Sequence, residues 1–155
     1  MKTCFFMGHR DTPESVRERL EESVLRHITA YGVTHFTVGR YGSFDRMAYQ
    51  VVREAKKHYD VTLALLLPYH PFDCPVQAPE GVDNTFYPPG MERVPKRAAI
   101  VQANRYMIRH SDFLICYDTG WPGNTHALVE AAMRREVKGL LCVENLAATE
   151  FPLRR

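Results

Sequence analysis

Two glycine-bearing turns, each set between a short apolar run and a helix-like stretch, constrain this chain more than any other feature. Gly39-Arg40-Tyr41-Gly42-Ser43-Phe44-Asp45 follows the run Phe36-Thr37-Val38. Thr119-Gly120-Trp121-Pro122-Gly123-Asn124-Thr125 follows the run from Phe113 to Asp118. A strand that passes through a glycine turn into a helix presents free backbone N–H groups and the positive end of the helix dipole at that junction. Two such junctions in one chain point to an α/β fold whose sheet edge receives a phosphorylated or nucleotide-like ligand.

The rest of the chain agrees with that reading. Short apolar runs at Thr3 to Met7, His35 to Val38, Val61 to Leu67, Phe113 to Tyr117 and Gly139 to Val143 alternate with longer amphipathic stretches. Their continuous hydrophobicity fits strands covered on both faces, as in a parallel sheet. Thr12-Pro13-Glu14 predicts a helix start with a capping hydroxyl, followed by Val16, Leu20, Val24 and Ile28 at four-residue spacing and closed by Gly32. Further helices are expected around Met47 to Ala55, from about Pro95 to His110, and from Asn124 or Thr125 through Ala132. The order predicts a doubly wound, mostly parallel five-stranded sheet, order 3-2-1-4-5, with helices on both faces. In that order the chain reverses between the first and fourth strands, and their C-terminal loops open the crevice where such sheets bind ligands.

Composition limits the alternatives. With 155 residues, 45% of them hydrophobic, the chain is expected to form one domain over 1–155. A formal net charge of +2 gives no argument for nucleic acid. No apolar run reaches the roughly 20 residues of a membrane span, and the start lacks a secretory pattern. Cys4, Cys116 and Cys142 sit in apolar runs and read as buried strand residues, while Cys74 sits in a Pro-rich loop; a reduced, cytoplasmic protein is the expectation. The histidines show no compact metal spacing, so no metal and no cofactor is assigned. Neither a P-loop nor a G-x-G-x-x-G fingerprint occurs. The stretch 68–95 holds seven prolines with Tyr69, Phe72, Phe86 and Tyr87. A connection so long reads either as a lid or wall beside the crevice or as a surface meander.

Within the loops, several side chains suit an anionic ligand. Gly8, His9 and Arg10 follow the first strand, where Gly8 permits close backbone approach and Arg10 offers a planar fork for phosphate. In the first glycine turn Gly39 and Gly42 shape the backbone, and Arg40 and Tyr41 at the tip are placed to stack on or clamp a base. Ser43 suits a cap or a phosphate, and Asp45 a sugar hydroxyl, a general base, or equally an early acid that favours the helix dipole. In the second turn Gly120 and Gly123 shape the loop, and Asn124 and Thr125 are placed to cap the helix or bind an anion. Asp118 would project into the crevice, Trp121 suits packing or stacking equally, and Glu130 reads as a solvated glutamate or a second candidate acid. Lys96, Arg97, Arg105 and Arg109 read as a solvated helix face, of which Arg105 is the one placed to face the crevice.

Taken together, Gly8-His9-Arg10, Gly39-x-x-Gly42-x-x-Asp45-x-x-Ala48, Asn104-Arg105 ahead of Ser111-Asp112, and the turn Asp118 to Thr125 followed by Glu130-Ala131 resemble the SLOG superfamily. That Rossmann-like group includes the LOG cytokinin-activating phosphoribohydrolases, the DprA/Smf DNA-processing proteins and the YpsA-like DUF1273 proteins, and the likeness is greatest to the last. The resemblance implies a nucleotide-derived ligand at the crevice and a homodimer. LOG enzymes carry P-G-G-x-G-T-x-x-E after the fourth strand. Here Leu128 stands at the glutamate position, and Glu130, two residues on, lies about 200° around the helix. Binding or sensing of a nucleotide-derived ligand is therefore the leading expectation. The alternatives are LOG-type hydrolysis of a nucleotide N-glycosidic bond, with Asp45 and Glu130 as its acids, and DprA-type binding of single-stranded nucleic acid.

Overall fold

The apolar runs assemble into a single all-parallel sheet. The computed structural model describes residues 1–149; the end of the domain expected over 1–155 lies outside the described residues. Its strands are β1 (Thr3–Gly8), β2 (His35–Val38), β3 (Thr62–Leu66), β4 (Asn84–Phe86), β5 (Phe113–Tyr117) and β6 (Cys142–Asn145). They lie in the order β4-β3-β2-β1-β5-β6. The helices are α1 (Arg17–Thr29), α2 (Ser43–Ala55), α3 (Ala99–His110) and α4 (Asn124–Val137).

Strand count and order thus differ from the expected five strands in order 3-2-1-4-5. The additional strand, β4, comes from the Pro-rich stretch and pairs with Ala64, Leu65 and Leu66 at the edge. Three residues, two of them exposed, carry no readable period. What holds them is tertiary. The Asp83 carboxylate accepts the Leu63 N–H at 2.8 Å and the Lys56 ammonium at 2.6 Å, and the Lys56 ammonium also donates to the Gly81 carbonyl.

Alternation along each strand divides the core between the two faces of the sheet. Cys4 and Phe6 point into a cluster with Leu20, Val24, Phe44 and Met47 of α1 and α2. Phe5 and Met7 point the other way, against Ala103, Ile108, Leu128 and Ala132 of α3 and α4. Phe5, Phe6, Phe36 and Phe44 are fully buried, each ring contributing about 1.5–3 kcal/mol by transfer from water. Cys4 and Cys116 are buried as expected, but Cys142 is exposed, because it opens the edge strand β6.

Two helix starts also differ from expectation. Thr12 does not cap α1: its hydroxyl donates to the His9 carbonyl at 2.6 Å, and the chain enters the helix through a 3-10 turn at Glu14–Val16. A similar turn at Lys96–Ala98 precedes α3. Among the described residues no helix is long and apolar enough to cross a membrane.

Candidate functional site

β1 is flanked by β2 on one side and β5 on the other, so the chain reverses direction between β1 and β5. The loops after β1, β2 and β5 open there. The turn into α2 ends on Gly42 at φ +115°, and the turn into α4 ends on Gly123 at φ +151°. Neither helix start has a side-chain cap. Ser43, Asn124 and Thr125 therefore do not cap their helices, although capping is the usual use of such residues. Ser43 instead turns back, its N–H and hydroxyl both reaching the Arg10 carbonyl at 2.9 and 2.8 Å, with the Thr12 carbonyl a second partner for the hydroxyl.

Two cavities meet at this edge. The inner one, about 210 Å³, is lined by Gly8, Arg10, Gly39, Asp45, Asn124 and Thr125, together with Tyr41, Arg97 and Asn104. The outer one, about 900 Å³, is lined by Arg40, Gly42, Ser43, Arg46 and Tyr49, with Gln77 and Pro79 on its rim. Arg10, Gly39 and Asp45 belong to both and form the divide between them. Pro68 also lines the inner cavity, so the 68–95 stretch acts as a wall to both spaces, pinned at Asp83.

Asp45 is the most perturbed acid of the site. Its Oδ2 accepts the Tyr41 N–H at 2.9 Å. Burial raises its carboxyl from the ordinary 3.8 to about 7, against the lowering effects of that hydrogen bond and of the Arg10 charge. Gly39 is what makes room for it: a Cβ there would lie 2.7 Å from Asp45 Oδ2. Gly8 has a comparable steric duty, since a Cβ would fall 2.4 Å from the Phe44 ring. These two glycines serve internal packing at the floor of the crevice as well as lining it.

The second turn is held by a polar network. Asp118, at the end of β5, is buried rather than projecting into either cavity. Its Oδ1 accepts the Gly120 N–H at 3.0 Å and its Oδ2 lies 2.8 Å from His126 Nδ1. His126 Nε2 lies 2.6 Å from Glu130 Oε1. Both ring nitrogens thus face carboxylates, and the hydrogen bond with Asp118, foremost, raises the His126 pKa above its ordinary value. His9 spans the switch point from the other side, its Nε2 accepting the Thr119 N–H at 3.0 Å. Among the described residues, no group of three or more His, Cys, Asp or Glu side chains is placed to hold a metal ion.

Most of the expected site residues therefore converge on one edge, but His9, Asp118, Gly120, Gly123, Arg105 and Glu130 line neither cavity. Glu130 is exposed and engaged by His126, outside both cavities. Arg105 lines a different groove, between α3 and α4. Trp121 is 76% exposed. Sequence reasoning placed Tyr41 at the ligand, and it does line the inner cavity, but it missed Arg97 as a cavity residue and His126 as the link in the second turn. A cation in the first turn of a helix reads by default as solvated, and the Asp118–His126 pairing joins a strand end to a helix across eight residues with no local signature. Comparison with known proteins adds no family: no protein-family model matches the chain, and no curated protein matches it.

Proposed function

We propose that this protein binds a nucleotide or nucleotide-derived phosphorylated ligand in the crevice between the loops after β1, β2 and β5. The observation that carries the reading is the pair of helix starts without a side-chain cap, each on a positive-φ glycine, with Arg10 lining the cavity at both. Unsatisfied N–H groups at a helix start favour an anion, and arginine supplies the planar fork that phosphate accepts. The likeness of the glycine turns to the SLOG pattern supports the same ligand class. In this reading the phosphate lies against Asn124 and Thr125, and Asp45 faces a sugar hydroxyl. Thermal shift with nucleoside mono- and diphosphates, ADP-ribose and nucleotide sugars tests it. At least one phosphorylated nucleoside should raise the melting temperature; no response from any of them at millimolar concentration would contradict it.

A phosphoribohydrolase reading has one observation in its favour, the Asp45 carboxyl poised near neutrality in the cavity wall. In its ionised form that group would steady positive charge developing at the ribose anomeric carbon. Free base should then appear from purine monophosphates, and vanish in Asp45→Ala. Release that persists unchanged in that variant would sink this assignment.

A further inference from the structure

Farther along the two helices that wall the inner cavity, toward their C-terminal ends, α3 and α4 enclose a separate groove of about 660 Å³. Arg105 and Arg109 line one wall, Arg134, Arg135 and Lys138 the other; the rest of the lining is aliphatic, with no acid and no aromatic ring. Elsewhere four cations pair with carboxylates: Arg17 with Glu14, Arg26 with Glu144, Lys56 with Asp83, and Lys57 with Glu54. Among the described residues none of the five groove cations forms an ion pair. The acids nearest in sequence are committed to other partners. Glu130 meets His126, the Glu136 carboxylate accepts the Val143 N–H, and Asp112 accepts the Thr3 N–H. Arg135 donates through Nη2 to the Arg109 carbonyl at 3.2 Å, while its buried Nε has no hydrogen-bond partner among the described residues. A chain of formal net charge +2 thus concentrates in one concavity five cations that form no ion pair among the described residues.

We propose that this groove is a second anion site, distinct from the crevice, which takes a compact ligand bearing several clustered phosphates. Its extent decides the size of the ligand. Arg105 and Arg109 are one turn apart, as are Arg134 and Lys138, so each cationic wall runs only about 6 Å. That length faces two or three adjacent phosphates. A single strand of nucleic acid would call for stacking rings and a longer basic track, and the lining supplies neither. Ala127 and Ala131 line the α4 side with small side chains.

Isothermal titration with inorganic tripolyphosphate tests the site. The exposed pair Arg109→Gln/Lys138→Gln should weaken binding roughly tenfold or more, the loss expected of charge-assisted contacts, while circular dichroism stays unchanged. Arg10→Ala should leave groove binding intact; if the anion also occupies the crevice, the titration shows two sites and each variant removes its own. Co-sedimentation with phosphatidylinositol 4,5-bisphosphate vesicles then tells a lipid headgroup from a free anion as the source of the phosphates. The proposal is overturned if tripolyphosphate does not bind, or if binding survives the groove pair and is lost only in Arg10→Ala. It is equally overturned if a single-stranded oligonucleotide, and not tripolyphosphate, depends on Arg109 and Lys138.

Discussion

Asp45 is a carboxylic acid held in a setting that disfavours its charge. Between its ordinary value of 3.8 and about 7, the native carboxyl keeps a proton that the unfolded chain has released. The native state then binds more protons than the unfolded one, so stability falls as pH rises through that window, and the full cost is present above it. Asp45→Asn keeps an acceptor for the Tyr41 N–H and removes the charge. It should stabilise the protein at pH 8 by an amount up to about 4 kcal/mol and have little effect near pH 4. Urea denaturation at the two pH values reads the difference; equal effects at both would contradict the account of Asp45. The glycines of this edge were legible as turn formers because their spacing from the apolar runs is local. Their steric duties were not, because what a Cβ at Gly8 or Gly39 would strike is Phe44 or Asp45, placed there by the tertiary packing of α2.

At the scale of elements, the starts of α2 and α4 carry the argument. Gly123 has φ +151° and open space around a would-be Cβ, so a side chain there meets backbone strain rather than a clash. Gly123→Val should cost on the order of 1–3 kcal/mol, leave the fold intact by circular dichroism, and abolish nucleotide binding. Unchanged affinity in a folded Gly123→Val protein would remove this turn from the site. The start of α4 is also tied to β5 through Asp118 and His126. Because the His126 pKa is raised in the folded state, its stabilising effect is fully present below the unfolded value of 6.5 and is lost as pH rises through the higher folded value. His126→Gln should therefore lose more stability at pH 6 than at pH 9. An equal loss at both values would mean that the imidazole acts by packing alone. Helix existence was readable from four-residue apolar spacing, as in Val16, Leu20 and Val24. The entries were not: Thr12, Ser43, Asn124 and Thr125 have cap-forming chemistry, yet Thr12 and Ser43 bond to loop carbonyls and neither α2 nor α4 has a side-chain cap.

For the molecule as a whole, the sheet order is what joins the two glycine turns. The alternation of short apolar runs with amphipathic stretches made an α/β parallel sheet legible. The edge strand β4 escaped notice because Asn84–Phe86 is short, mostly exposed and fixed by Asp83 and Lys56 rather than by its own pattern. That strand turns the Pro-rich stretch into a wall, bringing Gln77 and Pro79 to the outer cavity. One measurement tests the central claim most directly: a crystal structure of the protein grown with the phosphorylated nucleoside that most raises its melting temperature. The account predicts phosphate density against the backbone N–H groups of Asn124 and Thr125, within reach of the Arg10 guanidinium, with the sugar toward Asp45. A nucleotide bound elsewhere, with the starts of α2 and α4 both open to solvent, would contradict it.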